Sequence, residues 1–265
     1  MEAGVRDLRV RSWAELNEAV FEGSWRADLR RFRSRCAFRG VASAEYRLDT
    51  ALARLGGDFS RMEGHLLRNF KKYARAAVRH DSFWNWVSLA QHHGLPTRLL
   101  DWTYSPFVAM HFATVDLELF DEDAAIWCVD FVESHALLPA RLRHALDAEG
   151  SDVFTVEMLD RELPSLHELD RKVQAGLVLF FEPPSLDDRI VNQHALFSVQ
   201  ADVRTSLDPW LSQNPALARK VVIPKELKWE VRDKLDQANV TERVLFPGLD
   251  GLSSWLSRHY APRPR

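Results

Sequence analysis

The chain has 265 residues, 46% of them hydrophobic, with 35 Lys plus Arg against 38 Asp plus Glu and a formal net charge of -3. That apolar content suits a folded core rather than disorder, and the charge balance excludes the global basic field that draws a protein to nucleic acid or an anionic membrane. No apolar run approaches the roughly 18 residues of a membrane span, the opening MEAGVRDLRVRSW does not read as a signal peptide, and Cys36 and Cys128 lie in apolar runs that suit buried thiols, so a cytoplasmic protein is expected.

In chain order, Ser12 followed by Glu15 has the spacing of a capping box and opens a helix expected over Ser12 to Phe32. Five arginines, Arg26, Arg30, Arg31, Arg33 and Arg35, fall between Arg26 and Arg35; on a helix they would solvate an outer face or form a phosphate-binding patch. Cys36 to Gly40 reads as a buried strand ending at a turn glycine, and Glu45 to Leu55 as a helix stopped by Gly56-Gly57. Met62, Leu66, Leu67, Phe70, Tyr73, Ala74 and Ala77 recur at helical spacing, predicting a helix over Arg61 to Val78. A further helix starts after Asp81 and breaks at Gly94 and Pro96. Its Trp84 and Trp86 offer stacking surfaces or, more simply, core. Pro106, behind a capping Ser105, opens a helix to Val115.

Ala124 to Phe131 follows as a buried strand. Glu133 to Lys172 is hard to read, with helical patches at Arg141 to Ala148 and Val156 to Leu169, and residues 132–175 are expected as a lid or insert. Strands return at Gly176 to Phe181, Leu196 to Gln200 and Lys220 to Pro224, before helices Lys225 to Ala238 and Leu249 to Tyr260. Short scattered strands without regular strand-helix alternation predict an α+β fold, a mixed and largely antiparallel sheet with an N-terminal helical cluster. The division expected is a helical segment at 1–34, one domain at 35–255 and a tail at 256–265.

Leu89 to Ala113 concentrates two histidines, Thr97, Arg98, Asp101 and three aromatics in an apolar stretch, which makes it the natural pocket wall. His92 and His93 cannot both face inward from one helix, and His93, beside Gly94, is the better placed. Asp101 can pair with Arg98, orient His93 or bind a ribose hydroxyl. Arg39, between Phe38 and Gly40 at a strand end, suits a phosphate or carboxylate through its planar fork, or a structural pair with Glu45 or Asp49. Asn192 and Gln193 before an apolar strand serve a ligand or a turn, and Glu182 is a carboxylate at a strand end. Spacing gives no metal site among His92, His93 and His111, and the sequence holds no GxGxxG, P-loop, GxSxG, HExxH or CxxC signature.

These clusters together resemble the FRG-domain family, named for a Phe-Arg-Gly motif. The residues that carry the resemblance are Phe38-Arg39-Gly40, Glu45-Tyr46-Arg47-Leu48, Glu63, and the long run Ala90-Gln91-His92-His93-Gly94-Leu95-Pro96-Thr97-Arg98-Leu99-Leu100-Asp101-Trp102-Thr103 continuing into Ser105-Pro106 and Ala109. Arg189, Gln193, Phe197 and Leu245 to Gly251 extend it, so that it spans about Ala37 to Trp255.

The resemblance implies a bacterial or phage-borne effector of defence or toxin systems. Two functions follow as expectations. One is an enzyme similar to ADP-ribosyltransferases, taking NAD as cofactor, with Arg39, Gly40, Thr97, Arg98 and Asn192 in binding and His93, Asp101, Glu182 and Gln193 in catalysis. That class carries a Ser-Thr-Ser strand, absent here, and a late glutamate where this chain has Gln193. The other is a non-catalytic module that senses a nucleotide-type ligand or engages a protein or nucleic-acid target.

Overall fold

A computed structural model of the chain describes residues 5–75, 81–172, 177–185, 187–204 and 206–262. The elements run β1 (Arg6–Arg9), α1 (Trp13–Phe21), β2 (Trp25–Arg26), β3 (Arg31–Phe32), β4 (Cys36–Val41), α2 (Ala51–Leu55), α3 (Phe59–Ala74), α4 (Phe83–His92), β5 (Leu99–Thr103) and α5 (Pro106–Ala113). They continue as β6 (Ala124–Asp130), α6 (Phe131–Ala136), α7 (Ala140–Glu149), β7 (Phe154–Thr155), α8 (Val156–Glu162), α9 (Leu166–Lys172), β8 (Val178–Glu182) and α10 (Asp188–Asn192). The chain closes with β9 (Ala195–Gln200), α11 (Asp208–Gln213), β10 (Ala218–Ile223), α12 (Lys225–Gln237), α13 (Glu242–Leu245) and α14 (Leu249–Tyr260).

Eight strands form one sheet in the order β1-β10-β6-β4-β5-β9-β8-β7, with β2 and β3 a separate ribbon. The outermost pairs, β1 with β10 and β7 with β8, are parallel, and the pairs between them are antiparallel. This is the expected α+β fold with a mixed, mostly antiparallel sheet. Strand alternation sends successive side chains to opposite faces. Phe38, Ile126, Cys128 and Val221 pack beneath α1, α5 and α12, whereas Ala37, Val41, Trp127, Trp102 and Phe180 pack on the other side with Phe131 and Trp210. A third cluster joins Leu99, Leu179, Phe181 and Phe197 to α3, α4 and α8.

Local signals explain most helix starts. Ser12, Thr50, Ser82 and Ser105 accept hydrogen bonds from the backbone N–H groups of Glu15, Ala53, Asn85 and Val108. The helix expected over Ser12 to Phe32 nevertheless stops at Phe21, since Gly23 at φ 75° turns the chain. The arginine run therefore lies on and beside the β2–β3 ribbon, where Trp25 and Phe32 pair edge to face across the strands. So residues before Cys36 form a strand of the main sheet, a helix and a ribbon, not a helical segment; the helical grouping of the N-terminal third is α2 to α4. Helix formation in Glu45 to Leu55 begins only at Ala51. Pro164 separates α8 from α9, where one helix was expected.

Glu133 to Lys172, expected as a lid or insert, is built into the core. It supplies the edge strand β7, and Leu138, Leu142, Phe154, Met158, Leu159 and Leu163 bury beside Trp84. His135 fixes this segment to the sheet, Nδ1 donating to the Asp152 carbonyl at 3.0 Å and Nε2 accepting the Phe180 N–H at 2.9 Å. Residues 76–80, 173–176 and 263–265, which hold the expected helix end at Val78, the strand start at Gly176 and the last of the tail, lie outside the described residues. Both cysteines are free and buried, and no described helix is long and apolar enough to cross a membrane.

Candidate functional site

A cleft of about 620 Å³ opens where β4, β5, the end of α4 and α10 meet, and Arg39, His92, His93, Asp101, Arg189 and Gln193 are among its lining residues. The backbone creates it. β4 and β5 pair at Phe38↔Thr103, and where they part the guanidinium of Arg39 takes the place of a ladder bond, Nη1 donating to the Asp101 carbonyl at 2.5 Å. Its Nε is buried with no hydrogen-bond partner. Burial holds this guanidinium below its ordinary pKa against the opposing pull of Asp101. Neither Glu45 nor Asp49 pairs with it.

Gly40 lines the cleft for a packing reason. A Cβ there would lie 1.8 Å from the Ala109 carbonyl oxygen of α5, so the glycine lets the helix backbone approach the strand.

The second wall is the end of α4. Gly94, at φ 77°, closes the helix with Leu95 N–H on the Ala90 carbonyl and Gly94 N–H on the Gln91 carbonyl, both 2.9 Å, a Schellman arrangement. That turn places His92 and His93 together at the cleft, correcting the expectation that one of them would. His92 is the anchored one: its side chain is 8% exposed and Nε2 donates to Asp187 Oδ2 at 2.5 Å. Desolvation lowers the His92 pKa, against the pull of Asp187. His93 is exposed, beside Phe70 and His92.

Asp101 is the lining carboxylate, and its orientation is set by a relay. Thr97 Oγ1 donates to Gln91 Oε1 at 2.5 Å, and Gln91 Nε2 donates to Asp101 Oδ2 at 2.8 Å. Asp101 therefore engages Gln91, and not Arg98 or His93. Thr97 stands behind this wall and is not among the lining residues.

Arg98 is not brought to the cleft. It is buried, with Nε and Nη2 on Glu63 at 2.9 and 2.6 Å and Nη1 on Asp170 at 2.6 Å and the Ala201 carbonyl at 3.2 Å. Alternation within the strand pair sends it away from Asp101. Glu182 is also elsewhere: it shares a face of β8 with Val178 and Phe180 and accepts the Tyr104 hydroxyl at 2.9 Å, on the side of the sheet opposite Phe197. Asn192 donates to the Val244 carbonyl at 2.8 Å and Gln193 to the Leu245 carbonyl at 2.9 Å, so both amides clamp α13 to the start of β9, although Gln193 also lines the cleft. Trp84 and Trp86 are core residues, 0% and 3% exposed, their indole N–H groups donating to the Leu163 carbonyl and to Asp81.

Sequence reasoning missed Gln91, His92 and Arg189 as site residues. For Gln91 and His92 the signal was there, since both stand in the dense run before Gly94. Arg189 stood in the sequence only as a residue of the family resemblance, and what brings its helix to the cleft is the tie from Asp187 to His92 at the end of α4. Among the described residues no group of three or more His, Cys, Asp or Glu could hold a metal ion.

Comparison with curated proteins and with solved structures gives no match. A family model described as the FRG domain matches residues 34–122, which hold Arg39, the α4 terminus and Asp101 but neither α10 nor β9. Residues 34–122 are thus similar to the FRG domain, and this part of the chain supplies two of the walls of the cleft.

Proposed function

We propose that the cleft binds a nucleotide-type ligand, NAD in particular, and that the protein acts on it as an ADP-ribosyltransferase-like enzyme. The observation that carries this reading is Arg39: a guanidinium set into the cleft with one hydrogen bond and a buried Nε left without a partner. A buried charge so poorly bonded is costly unless a ligand completes its shell, and a phosphate matches its planar fork. Asp101 is the one carboxylate among the lining residues, against two arginines, and Phe38, Phe112 and Phe197 offer apolar surface to a ring.

In this reading Arg39 binds phosphate, and Asp101, oriented by Gln91, serves the reacting ribose. When the bond from ribose C1′ to the nicotinamide nitrogen breaks, its electron pair leaves with nicotinamide and positive charge develops on the ribose. A fixed carboxylate stabilises that charge until water or an acceptor forms the new bond at C1′. Glu182 and Gln193 take no part, the first lying on the other face and the second holding Leu245.

The test is nicotinamide release from NAD by the wild type, Arg39→Gln and Asp101→Asn. Arg39→Gln is expected to raise KM at least about tenfold, and Asp101→Asn to lower kcat about 100-fold with KM little changed. Absence of release together with an unshifted melting temperature in NAD would end the proposal. A second reading, a nucleotide-sensing module without turnover, draws on the cleft's single lining carboxylate and on the engagement of Gln193. Binding of NAD through Arg39 without release of nicotinamide is its signature.

A further inference from the structure

We infer that Arg189 forms a second anion subsite in the cleft, on the wall made by α10, and that the ligand class is therefore one with two phosphates joined as a diphosphate, rather than a nucleoside or a mononucleotide. This rests on the reading of the cleft as a nucleotide site and adds a residue and a chemical requirement to it.

Arg189 lies on α10, a short helix whose start is fixed by Asp187. One carboxylate oxygen of Asp187 caps the Ile190 N–H at 3.1 Å and the other accepts His92 at 2.5 Å, tying α10 to the end of α4. At the far end, Asn192 and Gln193 hold α13, and so set Phe246 just beyond it. Arg189 is placed between these two ties, its Cζ 4.8 Å from the Phe246 ring centroid. This contact with the ring face restrains the guanidinium and costs it no donor.

Its donors are otherwise idle. Nη1 reaches the His92 carbonyl at 3.4 Å, a long contact, and Nε is buried with no partner. No carboxylate lies within ion-pair distance of it among the described residues, whereas the buried Arg98 and Arg258 each have two and Arg232 has one. Arg39 and Arg189 thus show one pattern on two walls of the same cleft: a guanidinium with a single Nη1 contact to a backbone carbonyl, short for Arg39 and long for Arg189, no carboxylate partner and a buried Nε without a partner. Two forks of this kind are met by two phosphates; one phosphate leaves one of them bare.

Titration calorimetry with adenosine, AMP, ADP and NAD on the wild type, Arg39→Gln, Arg189→Gln and Arg189→Lys tests this. The wild type is expected to bind ADP and NAD at least about tenfold more tightly than AMP, which corresponds to one charge-assisted contact. Arg189→Gln should erase that preference and leave AMP affinity within about twofold, while Arg189→Lys, which keeps the charge and loses the fork, should restore part of it. Equal loss for AMP and ADP, or no loss in Arg189→Gln while Arg39→Gln weakens both, would overturn the second subsite and leave the nucleotide reading standing. Failure of every ligand to bind the wild type would remove both. Near-ultraviolet circular dichroism separates a misfolded Arg189→Gln from one that has lost only the subsite, and in the misfolded case the ADP-to-AMP ratio of Arg189→Lys decides.

Discussion

Arg39 lies on β4 and Arg98 immediately before the adjacent strand β5, and their guanidinium groups are treated in opposite ways. Arg98 is bonded at every nitrogen, to Glu63, Asp170 and the Ala201 carbonyl, and its side chain is 4% exposed. Arg39 has one bond, to the Asp101 carbonyl, and an orphaned Nε. A buried charge that is fully paired holds structure together, and its removal strands the partner; one left under-bonded beside a cleft keeps bonding capacity that the fold does not use. The region around Arg98 is closed, and the region around Arg39 is open to a ligand.

The contrast is sharpened first by Arg98→Ala, which leaves Glu63 buried without its cation. A loss of about 3–5 kcal/mol in urea denaturation is expected; a loss under about 1 kcal/mol would mean that Arg98 is no more needed by the fold than Arg39. Next in size is Gly40→Ala, whose Cβ meets the Ala109 carbonyl. Pushing α5 off β4 should cost about 1–3 kcal/mol and lower the melting temperature, disturbing the cleft from the packing side.

The closed regions also hold buried histidines. Burial, reinforced by Arg232, pushes His111 down to about 3, and burial pushes His135 down to about 4. From the ordinary value of 6.5 down to about 4, the unfolded chain takes up these protons and the folded protein does not, so stability falls as pH falls. The expected slope is about 1.4 kcal/mol per pH unit for each histidine. Denaturation midpoints that stay level from pH 7 to pH 5 would contradict it. The smallest effect belongs to the open region: Arg39→Gln should change stability by less than about 1 kcal/mol while weakening NAD binding at least about tenfold, and a large destabilisation would return Arg39 to the same class as Arg98.

Much of the fold was legible because its signals are local. Caps at Ser12 and Ser105, the break at Gly94 and the apolar runs of β6 and β9 are read from neighbours within a few residues. The segment 133–172 was illegible because its apolar residues answer to Trp84 and the β8 face, far away in sequence. At the site, the run from Gln91 to Thr103 marked the right stretch, but spacing alone could not say which groups share a face. Arg98 and Asp101 looked like a pair and point to different regions, and Glu182 looked available and belongs to Tyr104.

The sequence by itself determined the α+β class, most helix starts, the FRG-domain match and the stretch that walls the cleft, since these follow from capping, periodicity and motif. Only the tertiary structure decided which arginines are spent and which are open. Whether a guanidinium finds a carboxylate depends on strands and helices brought together from across the chain: Glu63 and Asp170 converge on Arg98, whereas Arg39 meets a carbonyl and Arg189 a phenyl ring.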